Sequence, residues 1–427
     1  MKKRLWALLS SIVFAVGMFA GCAQSSTAAS QASTAQGTGT GKKVTLEFFH
    51  QKPENVDLYK KLATEFMAEN PDIKLNVTLA ETTTTTLLSR ISANTTPEIM
   101  AIFPMSASYV KLEKEGIFAD LTNQPCLKQV NAKVLKNCDV DGKYYTLPLT
   151  LNAYGMYYNV DIFKKLNLTP PKTFDELWTV CDKLKQAGIQ PFSFPDKETT
   201  RISQFFDRML VGSVNHDFAS ECTKIANGSM NLKNDTNFKN YANAILKLRE
   251  NGNKDSLGYG DTQAYEEFTS GKSAMYIDGT WAVTTFQKMN PKLNFNCTAI
   301  PTLSEKEFYT SGTIDTSLAI SDKVTDDQMK AAVKFLNFMV SPKVAQEFCD
   351  GDKNPNLVNS VKYNLPQLKE INDMISNGKF MPAMSTLWTQ DLRTELNKEV
   401  QDFIGTKNVD KFVGSVNDSI KQYSKAS

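Results

Sequence analysis

Two histidines, His50 and His216, are all the imidazole that the 427-residue chain carries. No HExxH, GxSxG, GxxxxGK(S/T) or GxGxxG stands in it, so metalloprotease, hydrolase and nucleotide-binding readings lack their signatures. The seven cysteines, Cys22, Cys126, Cys138, Cys181, Cys222, Cys297 and Cys349, form no CxxC pair and have no histidine nearby, so neither a metal site nor a cofactor is expected. Cys126 and Cys138 either bridge in an oxidising compartment or stay buried thiols. A carboxylate pair for glycoside hydrolysis needs no local motif, and 46 acidic residues leave room for one. A surface glycosidase is therefore one rival reading, although no catalytic residue is expected.

The aromatic residues point to binding. A sugar presents apolar C–H faces and hydroxyl edges, so its site needs flat rings beside amides or carboxylates. Trp281 follows the apolar run Ser273 to Ile277 and Gly279, whose missing Cβ allows a sharp turn. Trp388 follows Phe380-Met381-Pro382-Ala383-Met384 and opens a helical pattern reaching Ile404. Both tryptophans sit at element ends, where binding residues gather. The plain alternative is that each is a core residue.

Strands alternating with helices must position these side chains. Val44, Leu46 and Phe48 alternate as a strand, Leu58, Leu62 and Phe66 recur at helical spacing, and Ile73, Leu75, Val77 and Leu79 alternate again. A second helix over Leu87 to Ala93 and a third apolar run, Ile99 to Phe103, complete a βαβαβ start that predicts a parallel sheet. Ligands in such folds gather at the carboxyl ends of strands, where His50, Gln51 and Lys52 fall. Thr82 to Thr86 reads as an exposed loop. Asp141-Gly142 predicts a hairpin turn, and Thr173 with Glu176 predicts a capping box.

The first residues read as an export address. Lys2, Lys3 and Arg4 precede an apolar run from Leu5 to Phe19, and Ala20-Gly21 precedes Cys22. Residues 23–41 hold no large apolar side chain and predict a flexible tether with an r.m.s. reach of roughly 25 Å. Removing residues 1–21 takes three of the 48 basic residues, leaving 45 against 46 acidic and a formal charge of −1. That balance offers nothing to a nucleic acid. The remaining 406 residues exceed one compact core, so two lobes are expected.

These patterns together resemble the sugar-binding branch of the extracellular solute-binding proteins of ABC importers, the group that includes the maltose-binding proteins. The matching stretches are Thr45 to Val77, Pro97 to Leu121, Asp141 to Trp178, Gly271 to Trp281, Ala331 to Pro342 and Gly378 to Val400. The resemblance implies an α/β, two-lobed periplasmic-binding-protein-like fold of the class II type, with a ligand cleft between the lobes. It assigns residues 44–149 with 310–360 to an N-terminal lobe, and 150–309 with 361–427 to a C-terminal one. It implies that residues 1–21 are a lipoprotein signal, that Cys22 carries lipid at the outer face of the cell membrane, and that 22–43 tether the body to it. Phe19 stands where the usual box has Leu. Trp281 and Trp388 match sugar-stacking tryptophans, Asn152 a hinge-side polar contact, and Phe192 an aromatic contact that is commonly Tyr. His50 and Gln51 match polar contacts after the first strand. Around Phe103 to Met105 the acidic residue of the maltose pattern is missing. The implied function is capture of a mono- or oligosaccharide by a monomer that hands it to an ABC permease. The alternative on the same scaffold is a non-sugar solute, a phosphorylated polyol or a polyamine. A phosphate would call for clustered cations, of which Lys52 is the clear candidate.

Overall fold

Alternating apolar side chains place β1 (Val44–His50) against two neighbours, β2 (Ile73–Leu79) and β3 (Ile99–Ile102), both parallel to it in the computed structural model. The structure describes residues 43–79, 83–199, 201, 218–302, 309–377, 379–383, 386 and 388–423. The expected signal, Cys22, most of the tether and His216 lie outside them. Next in chain order come a short hairpin, β4 (Asp139–Val140) and β5 (Lys143–Tyr144), then β6 (Thr146–Pro148) and the long β7 (Leu151–Asn159). After these follow β8 (Gln190–Phe192), β9 (Ser273–Gly279), β10 (Phe295–Thr298), β11 (Thr310–Ile314), β12 (Ser317–Ile320) and β13 (Phe380–Pro382).

Besides the β4–β5 hairpin, two sheets result among the described residues, one per lobe. The first has the order β2-β1-β3-β12-β6, and the second has β13-β11-β7-β9-β8 with β10 also paired to β7. The first sheet is buried on both faces, as parallel strands require. Phe48 meets Tyr59 of the helix Val56–Glu69 edge-on at 5.0 Å and Phe335 of the helix Asp326–Met339 at 5.4 Å. Its other face packs Phe49, Met100 and Ile102 against Leu87, Tyr109 and Phe118. In the second lobe, Met156 and Met275 lie in a core with Leu177, Leu184, Tyr241 and Leu248 from two helices, Phe174–Gln186 and Thr236–Glu250. Among the described residues no helix is long and apolar enough to cross a membrane.

Local chemistry accounts for several boundaries. Asp141 and Gly142 adopt φ of 54° and 81° between β4 and β5, the left-handed pair that a two-residue hairpin needs. Thr173 accepts from the Glu176 amide at 3.3 Å while the Glu176 carboxylate accepts from the Thr173 amide, closing the expected capping box. The threonine run is not a loop throughout, since Thr83–Ser92 is helical. Leu87 buries itself against the first sheet, and that packing overrides the weak helix propensity of threonine. Cys126 and Cys138 are both free and buried, not bridged. Burial pushes their thiols up to about 11 and about 12, which leaves them uncharged at neutral pH.

The chain passes between the sheets at places that lie side by side. One crossing joins β6 to β7 and another joins β11 to β12. A third segment, Asn354–Leu357, follows the helix Pro342–Asp352 on its way to the helix Lys369–Ser376 beside β10 and β11. The first crossing lies in the middle of the three. Leu149 donates to the Thr316 carbonyl at 2.8 Å, the Asp315 amide to Thr150 at 2.9 Å, Leu151 to Pro355 at 2.9 Å and Leu357 to Leu149 at 2.8 Å.

Candidate functional site

Polar side chains converge on these crossings from five elements. Lys52, just past β1, puts its ammonium on Asp315 in the second crossing and 3.4 Å from Asp352 at the end of its helix. Asn55 donates to the same Asp352 oxygen, and Asn354 donates to the other at 2.9 Å. Asn152, at the start of β7, donates to Asp315 at 3.3 Å and accepts from the Thr313 amide at 3.1 Å. Thr280, past β9, donates to Asn354 at 2.5 Å, and its backbone N–H bonds the Ala153 carbonyl at 2.9 Å. All the side chains of this cluster are buried. Burial opposes the charge on Lys52, but Asp315 and Asp352 outweigh it and hold the ammonium well above the ordinary lysine value. Burial, with Asp352 beside it, raises the Asp315 carboxyl although Lys52 pulls the other way.

An aromatic platform adjoins this cluster. Trp281 follows Thr280 directly and caps the helix Ala282–Met289. It is half-buried, touching apolar groups of both cores, and meets Tyr154 of β7 edge-on with ring centroids 5.7 Å apart. Tyr154 is the register partner of Gly279, which is why the two rings meet. Before Gly279, Asp278 is held by Tyr265 Oη at 2.7 Å and by Arg201 Nη1 at 3.3 Å. Arg201 Nε also reaches both oxygens of Asp261, at 2.9 and 3.0 Å. The strand end that carries Trp281 is thus anchored by two side chains.

The other residues singled out from the sequence lie at different depths. Gln51 is half-buried and donates to Tyr109 Oη at 2.9 Å. Asn152 is 7 % exposed, within the polar cluster. His50 is fully buried; burial is the main cause that pushes its imidazole down to about 4, so it is neutral. Its Nδ1 accepts from the Lys52 amide at 3.3 Å, which puts the proton on Nε2, an atom without a hydrogen-bond partner among the described residues. Phe192 is fully buried and stacks on Phe194 at 5.4 Å. Trp388 is 2 % exposed and sits in the second core with Ala383, Leu392 and Leu396. The structure therefore brings Trp281, Asn152 and Lys52 to one place and sets Trp388 and Phe192 into the second core. Asp315, Asp352, Asn354 and Thr280 were missed, because the two carboxylates stand 263 and 300 residues from Lys52 and carry no local signal of pairing with it, and the other two join only through them. Among the described residues no group of three or more His, Cys, Asp and Glu is placed to hold a metal ion.

Comparison with known proteins gives this geometry a family. The family model for bacterial extracellular solute-binding proteins matches residues 61–370. The multiple sugar-binding protein of Streptococcus mutans is 28 % identical over 325 residues, which are 75 % of this chain and 76 % of that one. The melibiose/raffinose/stachyose-binding protein MelE of Bacillus subtilis is 24 % identical over 320 residues, covering 72 % of each. Among solved structures, the solute-binding protein RafE in complex with raffinose superposes with a TM-score of 0.81 at 24 % identity, covering 89 % of this chain and 100 % of that one. RafE from Streptococcus pneumoniae in its apo form superposes at 0.78. With the family model spanning well over half of its length and the two-lobed frame shared, the chain belongs to the bacterial extracellular solute-binding proteins.

Proposed function

We propose that this protein captures a mono- or oligosaccharide between its two lobes and delivers it to the permease of an ABC importer, without transforming it. The observation that carries this reading is Trp281, a half-buried indole on a doubly anchored strand end beside a cluster of amides and carboxylates at the crossings. A rigid ring takes a sugar's C–H face at low entropic cost, and neighbouring polar groups take its hydroxyls. The ligand contacts in this reading are Trp281 and Gln51, which are half-buried, and the buried Asn152. His50, Phe192 and Trp388, all buried, are the further candidates for contact. The relatives named for sugars support the same class. The lobes divide at the crossings, with β1, β2, β3, β6 and β12 on one side, and ligand binding favours their closed arrangement.

The phosphorylated-solute alternative loses support from Lys52, whose charge is committed to two buried carboxylates. Export behind the signal of residues 1–21, with lipid on Cys22, holds the monomeric body at the extracellular face of the cell membrane. A relative named as a solute-binding lipoprotein supports that anchoring. A thermal-shift screen over a sugar panel tests the main reading, because a ligand at a hundred times its Kd adds about 2.7 kcal/mol. Raffinose, stachyose and maltodextrins head that panel. No shift with any sugar, or release of hydrolysis products from an oligosaccharide, would overturn it.

A further inference from the structure

The polar cluster at the crossings is continuous from one lobe to the other. It starts at Lys52, bonded to β1 through its own backbone segment, and passes to Asp315 on the second crossing and to Asp352 at the end of the helix that leads into the third. From Asp352 it runs through Asn354 to Thr280, whose amide is fixed to Ala153 of β7. Thr280 is the residue immediately before Trp281. Asn152 ties Asp315 to β7 by a second route. One ammonium faces two carboxylates with side chains only 7 %, 7 % and 1 % exposed, so each partner is expensive to strand. Bonds between buried charges tolerate little displacement, and this set is complete only when all the crossings keep their relative places.

We propose that this relay is a hinge latch in which Lys52 is a positioning residue: it fixes the angle at which the ligand-free lobes rest and couples that angle, through Asn354 and Thr280, to the placement of Trp281. The coupling to Trp281 rests on the sugar-binding reading above; the resting angle does not. Three charges hold the angle, and two uncharged side chains carry it to the ring. The two halves of the device are therefore separable by substitution.

Spin-label pairs, one on each lobe, report the resting angle in the absence of sugar, and calorimetric titration with raffinose reports Trp281. Lys52→Met strands two buried carboxylates, so the companion variant is the neutral triple, Lys52→Met with Asp315→Asn and Asp352→Asn. The triple is expected to broaden the interlobe distance distribution without ligand and to raise the raffinose Kd tenfold or more. Lys52→Arg is expected to retain the native distribution. Asn354→Ala, which leaves the charges in place, is expected to keep that distribution and still raise Kd about fivefold. A neutral triple with the native distribution overturns the latch, and an Asn354→Ala variant with native affinity overturns the coupling. If the unaltered protein binds no sugar, the sugar reading fails on its own, and the spin-label distances still decide the latch.

Discussion

The indole of Trp281 fills the space that a side chain on Gly279 would need: a Cβ there would stand 2.0 Å from Trp281 Cζ3 and 2.2 Å from Cη2. The glycine is required by the ring and not by backbone conformation. Gly279→Ala should therefore push the ring off its native position and weaken sugar binding by tenfold or more, about 1.4 kcal/mol per power of ten. In a Trp281→Ala background the same glycine change should have almost no further effect. Titration of the single and double variants measures that coupling, and additive losses would show that the ring is not what Gly279 serves.

The two tryptophans singled out for binding should separate in stability. Trp388 is embedded among Ala383, Leu392 and Leu396, so Trp388→Ala leaves a cavity and should cost about 3–5 kcal/mol. Trp281 is half-buried, and Trp281→Ala should lose affinity with a smaller stability change. Denaturant midpoints together with calorimetry on the same samples check both statements. A Trp388→Ala protein as stable as the parent would take that side chain out of the core.

Glu113, on the first-lobe helix Ala107–Lys114, is 2 % exposed, and burial pushes its carboxyl up to about 8. Between pH 4.5 and about 8 the folded chain keeps a proton that the unfolded chain has lost. Stability should therefore fall as pH rises through that window and level off above it. Glu113→Gln removes the slope, with a gain at pH 8 on the order of 4 kcal/mol and little change at pH 4. Melting curves from pH 4 to pH 9 for both proteins make the comparison. Parallel curves would mean that Glu113 ionises freely.

Cys22→Ala should block lipid attachment, so that the protein leaves the membrane fraction for the medium or accumulates with its signal uncleaved. The motive is the Ala20-Gly21-Cys22 sequence ahead of a polar tether. Fractionation of cells expressing the two forms decides it. A variant that still sediments with membranes in processed form would end the lipid-anchor reading.

Much of the frame was legible because its signals are local. Period-two alternation marked β1 and β2, Asp141-Gly142 marked the hairpin, and Thr173 with Glu176 marked a helix start; each depends on residues a few positions apart. Of the Thr83–Ser92 helix the part from Leu87 on was legible; only its first turn of threonines was hidden, because Leu87 meeting the first sheet stabilises it and their own propensity does not. The polar cluster was hidden for the same reason at longer range. Lys52 shows in the sequence as a cation at a strand end, but the partners that neutralise it arrive at 315 and 352. Burial of Trp388 was one of two open readings, since an indole at a helix start looks alike from either side of a protein surface.

The position of β12 also bears on how the molecule comes to exist. It lies between β3 and β6, yet β6 ends at Pro148 and β12 begins at Ser317. Until that late strand emerges, β3 and β6 each keep a raw edge, and the first lobe has no way to finish on its own. The usual order of synthesis, with the N-terminal half folding first, is closed to this topology. Pairing across so many residues is slow, because the loop-closure cost comes before the contacts that offset it. For a member of an extracellular solute-binding family such slowness would be useful: a chain that has to leave the cell would stay threadable, and its two lobes would reach their final form together.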